Sequence, residues 1–178
     1  MRGGSPARTG RIFVAIPLPA GLKKSLLDLA PAEGRPERDP HLTLRFIGPL
    51  ASESLEPLGQ ALAEVQGRKF SLQAVGLGLF PRGPLWAGLA SAPELLALKK
   101  QVDLAIEKTL GLPAETRPFQ PHLTIARFQR PPGPDLRKFC QERSQLVLGS
   151  FEVQGFGLYQ SHLTPSGAKR ELLALINF

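Results

Sequence analysis

The run Arg11 to Leu18 (RIFVAIPL) is apolar and β-branched, which predicts a buried strand that ends near its proline. From Ala20 to Leu29 the apolar positions Leu22, Leu26, Leu27 and Leu29 change to helical spacing. Pro31 to Pro40 is polar and bracketed by prolines, so it reads as a loop. His41 to Ile47 is a strand that Gly48-Pro49 should stop. Ser52 to Gln66 carries Leu55, Leu58, Leu62 and Val65 on one helical face. Phe70 to Leu79 and Pro84 to Leu89 read as strands, with Pro81-Arg82-Gly83 as the turn. Ala92 to Leu110 is the longest helical pattern: Leu95, Leu98, Val102, Ile106 and Leu110 stay in phase, Pro93 fits the first turn and Gly111 the end. Phe119 to Phe128 is a strand and Asp135 to Arg143 a short helix. Gln145 to Val153, Phe156 to Leu163 and Ala168 to Asn177 are strands, the last two forming a hairpin across Thr164-Pro165-Ser166-Gly167.

One tetrapeptide stands out against this pattern. His-Leu-Thr followed by an apolar residue occurs at His41-Leu42-Thr43-Leu44 and again at His122-Leu123-Thr124-Ile125, 81 residues apart (122 − 41). In a strand, side chains alternate faces, so His41 projects with Thr43, and His122 with Thr124. Each copy is followed by a helix and then a strand pair. The simplest architecture is a duplicated α+β unit: two related lobes in one domain over 11–178, with two mainly antiparallel sheets lining a central cleft and helices outside. Residues 1–10, basic and rich in Gly and Pro, read as a flexible tail.

Composition narrows the class. At 178 residues, with 42% hydrophobic and 21% charged positions, the chain suits one globular domain. No stretch approaches the roughly 20 apolar residues that span a bilayer. No apolar signal-peptide core follows the basic N-terminus, which favours the cytoplasm. Cys140 is the single cysteine, which excludes an intrachain disulfide and a cysteine-rich zinc site and leaves it as a packing or semi-exposed thiol. The net charge of +7 and an excess of arginine over lysine favour anionic partners, since a guanidinium fork suits phosphate.

The residue types point to acid–base chemistry on phosphate. Histidine gives or takes a proton near neutral pH. Opening a cyclic phosphodiester with water needs a base on the incoming side and an acid on the leaving side. Two histidines supply both, each contributing ~10²–10⁴-fold. Threonine hydroxyls can bond the non-bridging oxygens. Strand parity favours Arg45, at i+4 from His41, as a further site residue. Arg127, at i+5 from His122, has the wrong parity unless a bulge intervenes. Phe13, Phe46, Phe119 and Phe128 lie in or near the motif strands, where any could stack on a base, although aromatics there are more often core. A third copy, His162-Leu163-Thr164, leads straight into a turn and reads as structural or exposed, not as part of a three-histidine zinc site.

These residues resemble the 2H phosphoesterase superfamily, and within it the RNA 2′,3′-cyclic phosphodiesterases, also called 2′-5′ RNA ligases. The resemblance runs through Arg11-Ile12-Phe13-Val14-Ala15-Ile16, His41 to Gly48, Trp86 in Leu85 to Leu89, Arg117 to Arg127, and Leu158-Tyr159-Gln160-Ser161. It implies a bilobal pseudo-twofold fold and cofactor-free, metal-independent opening of a cyclic phosphate to a 2′-phosphate. His41 and His122 become the catalytic pair, with His122 activating water and His41 protonating the departing oxygen. Thr43, Thr124 and Arg127 become the phosphate-binding residues. The implied partners are RNA 3′ ends bearing a 2′,3′-cyclic phosphate, tRNA fragments among them, or nucleoside 2′,3′-cyclic phosphates, handled by a monomer without a membrane. Reversible 2′-5′ RNA ligation would use the same cleft. The alternative is a non-catalytic RNA- or nucleotide-binding module.

Overall fold

A computed structural model describes residues 8–81, 83–164 and 167–178. Strands β1 (Arg8–Pro17), β2 (Arg35–Pro36), β3 (His41–Ala51), β4 (Phe70–Leu79), β5 (Leu85–Leu89), β6 (His122–Arg127), β7 (Val147–Val153), β8 (Gly155–Thr164) and β9 (Gly167–Asn177) form one antiparallel sheet. Its order is β7-β4-β5-β6-β3-β1-β8-β9, with β2 added to β6. The helices are α1 (Ala20–Leu27), α2 (Leu55–Ala63), α3 (Pro93–Leu110) and α4 (Pro134–Glu142).

The two expected sheets appear as two four-stranded halves, β3-β1-β8-β9 and β6-β5-β4-β7. The pair Leu42 with Leu123 joins them at the middle, where the two motif strands lie side by side. Each half has a motif strand innermost, then the strand that precedes it across a helix: β1-α1-β3 on one side, β5-α3-β6 on the other. After α2 the chain crosses, so β4 and β5 join the half of β6, and after β7, which stays beside β4, it crosses back, so β8 and β9 join the half of β3, which interlocks the two halves.

Alternation within the central strands makes the core. Ile12, Val14, Ile16, Leu42, Leu44, Leu85, Ala87, Leu123 and Ile125 are buried. Three helices cover them with the face their spacing predicts, Leu22 and Leu26 on α1, Leu58 and Leu62 on α2, and Leu95, Leu98, Val102 and Ile106 on α3, and α4 adds Leu136 and Cys140. A leucine fully buried in this way is worth roughly 1.5–3 kcal/mol. Burial raises the pKa of the Cys140 thiol, as expected of a packing residue.

Several boundaries move. Gly48-Pro49 does not stop β3, which runs on to Ala51 against β1. Gly48 takes φ +92°, which a residue without Cβ tolerates. Beyond Leu42 the β6 side of β3 is open, so the missing N–H of Pro49 falls on an edge. Arg8 to Gly10, expected in the tail, belong to β1, with Arg8 opposite Ala51. Residues 1–7 of that tail lie outside the described residues, as do Arg82 and the Pro165-Ser166 part of the hairpin turn. Thr164 and Gly167, the two ends of the expected turn, pair and close β8 against β9. The Pro31 to Pro40 loop contains β2, which pairs Arg35 with Arg127 and leads into Glu37.

Candidate active site

Antiparallel pairing of Leu42 with Leu123 sets the geometry of the four motif residues. In that register His41 neighbours Thr124, and Thr43 neighbours His122. The leucines and isoleucine between them point into the core, and the histidines and threonines are half-buried on the other face. The structure therefore brings both His-x-Thr pairs together on the two central strands.

The motif strands are alike beyond the tetrapeptide. The first six residues of β3 and all six of β6 share one burial sequence: half-buried, buried, half-buried, buried, buried, exposed. Two successive buried residues break the alternation. Register shifts at this point, between Val14 and Ala15 opposite β3 and between Leu85 and Trp86 opposite β6, mark a bulge in each strand. Beyond the bulge the faces exchange. Arg45, favoured by parity, is carried inside, and Arg127 is carried to the exposed face. Phe46, 63% exposed, occupies the matching place on β3.

Arg45 is a packing residue. It is 6% exposed, donates to the Pro113 carbonyl at 2.5 Å and pairs with Asp103 of α3 at 3.2 Å. Asp103 also holds Lys99 at 2.6 Å, and Lys99 lies 5.5 Å from the centre of the Phe119 ring. The network ties α3 to the back of β3, and Phe119 belongs to it. Phe128 packs against the core, and the Phe13 ring is 3% exposed, so of the four candidate aromatics Phe46 alone presents a broad open surface.

Both imidazoles are fixed in the same manner. His41 Nδ1 lies 2.9 Å from the Asp39 carbonyl and His122 Nδ1 lies 2.8 Å from the Gln120 carbonyl, in each case the residue two before. The backbone contact of each ring is thus made through Nδ1 and not through Nε2. Aromatic rings back both. Phe13 lies 5.3 Å from His41 and stacks on Tyr159 at 5.4 Å, while Phe80 meets His122 edge-on at 5.1 Å and packs on Trp86 at 5.5 Å.

Charge is where the two sides part. Arg170 of β9 reaches His41 Nδ1, the Asp39 carbonyl and the Glu37 carboxylate. Glu37 also pairs with Nε of Arg127 at 3.5 Å, and Lys23 pairs with Asp39 at 2.5 Å. Burial first, then the Arg170 charge, lower the pKa of His41 to about 4, against the pull of Glu37 and Asp39. Burial also raises the pKa of the Tyr159 phenol. A cavity of about 60 Å³ opens beside His41, lined by Phe13, Lys23, Asp39, Tyr159 and Arg170. A hollow of about 310 Å³ between Arg68, Glu94, Gln101 and Phe178 holds none of the motif residues.

His162 stands apart. It is exposed on β8, opposite Lys169, with Glu171 at 3.7 Å. Among the described residues, no three His, Cys, Asp or Glu side chains cluster as metal ligands would. Glu37, Asp39 and Arg170 were not indicated by the sequence pattern. Glu37 and Asp39 lie in a loop, and Arg170 reaches His41 across 129 residues of chain.

A sequence model of the 2′-5′ RNA ligase superfamily matches residues 24–164. A curated protein of Aeropyrum pernix named RNA 2′,3′-cyclic phosphodiesterase is 35% identical over 133 residues, which are 71% of this chain and 75% of that one. A protein of the same name from Thermus thermophilus is 32% identical over 177 residues, covering 88% of this chain and 84% of its own. A crystal structure of a Thermus thermophilus protein superposes with a TM-score of 0.77 at 28% identity, over 94% of this chain and 97% of the other. The Escherichia coli protein LigT, in complex with 3′-AMP, gives 0.76 at 25% identity over 96% and 98%.

Proposed function

Because the chain belongs to the 2′-5′ RNA ligase superfamily, we propose that it hydrolyses RNA 2′,3′-cyclic phosphate ends to 2′-phosphomonoesters with His41 and His122 as its acid–base pair. The observation that carries this reading is the paired setting of the two rings. Each is anchored through Nδ1 to a backbone carbonyl two residues before it, on adjacent strands, with a threonine of the other motif alongside. A site that merely held phosphate would need cations and N–H donors, not two anchored imidazoles.

In this reading water attacks phosphorus. His122 Nε2 takes the water proton as the new P–O bond forms. His41 gives a proton from Nε2 to the ribose 3′ oxygen as the P–O3′ bond breaks and its electron pair stays on that oxygen. The Thr43 and Thr124 hydroxyls and the Arg127 guanidinium hold the non-bridging oxygens, whose charge grows in the transition state. Burial and Arg170 keep His41 neutral in the empty site. The anionic phosphate offsets the Arg170 charge and raises the proton affinity of the ring, so His41 takes up a proton with the substrate, enters the step as imidazolium and leaves it neutral. All groups in these steps are side chains, so the reaction runs without a metal. With a ribose hydroxyl in place of water, the reverse reaction would join RNA through a 2′-5′ bond. The enzyme acts as a cytoplasmic monomer on RNA ends, tRNA fragments among them, or on nucleoside 2′,3′-cyclic phosphates.

His41→Ala and His122→Ala should each lower kcat by ~10²–10⁴-fold while circular dichroism and urea midpoint report a folded chain. Chelators should leave the parent activity unchanged. Full turnover by either variant, or activity lost in EDTA and restored by zinc, would overturn the proposal.

A further inference from the structure

The cleft face carries more positive charge than one phosphate needs. β2 is only two residues long, and it lies beside the end of β6 with Arg35 directly opposite Arg127. Residues directly opposite in an antiparallel pair project from the same face. Arg35 therefore shares the face of Arg127, and both are exposed. Like charges at opposed positions destabilise a sheet. An anion bound beside them offsets that repulsion, and the guanidinium fork matches a phosphate.

The direction of Arg35 is set from behind. A Cβ added to Gly34 would lie 3.0 Å from the Phe128 ring and 3.1 Å from the Cβ of Ala126, so Gly34 packs closely on the core side of β6. The backbone N–H of Glu37 donates to the Ile125 carbonyl at 2.8 Å and continues the pairing past Pro36. Alternation then places Gly34 and Pro36 away from the cleft, and Arg35 and Glu37 towards it.

Glu37 does not neutralise the two exposed arginines. One oxygen of its carboxylate pairs with Arg170, and the other lies 3.5 Å from Nε of Arg127. One carboxylate thus stands among three guanidiniums. Its position also gives the row a direction. Glu37 sits level with Ile125, next to Thr124, whereas Arg35 sits level with Arg127. Outward from the His-x-Thr centre, the cleft face carries Glu37 first and the Arg35–Arg127 pair after it. An anionic chain that leaves a phosphate held by Arg127 is repelled on the Glu37 side and attracted on the Arg35 side. On the other half of the sheet, the place that matches Arg127 holds Phe46, opposite Phe13, so this charge lies on one side of the centre.

We propose, on the reading that Arg127 clamps the reacting phosphate, that Arg35 forms a second phosphate subsite, which holds the phosphate on the 5′ oxygen of the same terminal nucleotide. Opposed residues in such a ladder have Cα atoms about 4.5–5.5 Å apart, so two neighbouring phosphates of one strand can each take one guanidinium. The subsite names the substrate class. An RNA end carries the 5′ phosphate and fills both positions. A nucleoside 2′,3′-cyclic phosphate lacks it and leaves Arg35 unused. A cationic groove that follows the backbone in this way is sequence-tolerant, because phosphate contacts position a strand without reading its bases.

The test reads binding, so its answer does not depend on turnover. Calorimetric titrations of the full chain with adenosine 2′-monophosphate and with adenosine 2′,5′-bisphosphate differ only in the 5′ phosphate. The parent should bind the bisphosphate on the order of 10-fold more tightly, as one added charge-assisted contact provides. That preference should shrink as salt is raised. In Arg35→Gln the two ligands should bind alike, and Arg35→Lys, which keeps the charge without the fork, should retain part of the preference. A parent that binds the two ligands alike overturns the proposal, and so does an Arg35→Gln variant that keeps the full preference, whether or not both affinities fall together. A parent that binds neither ligand overturns the assignment of the central phosphate site, and the second subsite with it.

Discussion

Mild acid should weaken the fold through His41 in particular. Burial and Arg170 hold this imidazole at a pKa of about 4, against 6.5 in the open chain. Between those values the unfolded chain binds a proton that the folded chain does not. Stability therefore rises with pH in this window, is complete above the unfolded value and is lost as the pH falls through the folded one. At about pH 5 the unfolded imidazole is almost wholly protonated and the folded one almost wholly neutral. The difference is about 1.5 pK units, or ~2 kcal/mol, and it saturates at ~3 kcal/mol below the folded pKa. Urea unfolding at about pH 8 and about pH 5, for the parent chain and for His41→Gln, isolates this contribution, because the other titrating groups are common to both. The parent should lose ~2 kcal/mol more than the variant over that range. Equal losses would mean that His41 titrates normally, and the electrostatic description of the site would be wrong.

Two further outcomes follow from the same structure. Asp103→Ala leaves Arg45 and Lys99 without their shared carboxylate beneath β3 and should cost ~3–5 kcal/mol in urea unfolding, while the kcat of the folded fraction stays near that of the parent. Arg127→Lys keeps the charge but loses the planar fork beside Glu37 and should raise KM for a cyclic-phosphate substrate on the order of 10-fold; an unchanged KM would remove Arg127 from the phosphate site.

Much of this organisation was legible in the chain. The helical stripes of α2 and α3 and the alternation at the start of β3 and β6 each bury one face, the continuous apolar run of β1 is buried on both, and burial is what periodicity encodes. The same alternation misled at Arg45. Parity counts residues, and the bulge adds one between Thr43 and Arg45. Sequence marked no such insertion. The family resemblance favoured Arg127, and the matching bulge in β6 explains why i+5, not i+4, returns to the cleft face. Gly48-Pro49 looked like a stop because both residues break ladders, yet an edge position and a glycine at positive φ accommodate them. Glu37 and Arg170 left no pattern at all. One lies in a loop and the other is on a strand whose place at the end of the sheet depends on the crossing of β8. Long-range pairings of this kind arise from topology, which local spacing does not record.

The near-twofold arrangement has a physical consequence. Placing the two motif strands at the centre of one sheet gives His41, Thr43, His122 and Thr124 rigid support from neighbours on both sides, as the proposed proton transfer requires. It also delivers two histidines in matching strand settings that differ in their charged surroundings, Glu37, Asp39 and Arg170 lying about His41.

The most direct test is to incubate the purified protein, in EDTA, with a short RNA ending in a 2′,3′-cyclic phosphate and to identify the product. A terminal 2′-phosphate is the predicted result, since it reports cleavage of the bond to the 3′ oxygen by side chains alone. A terminal 3′-phosphate would contradict the assigned direction of the two histidines, and an unchanged RNA end would contradict the enzyme itself.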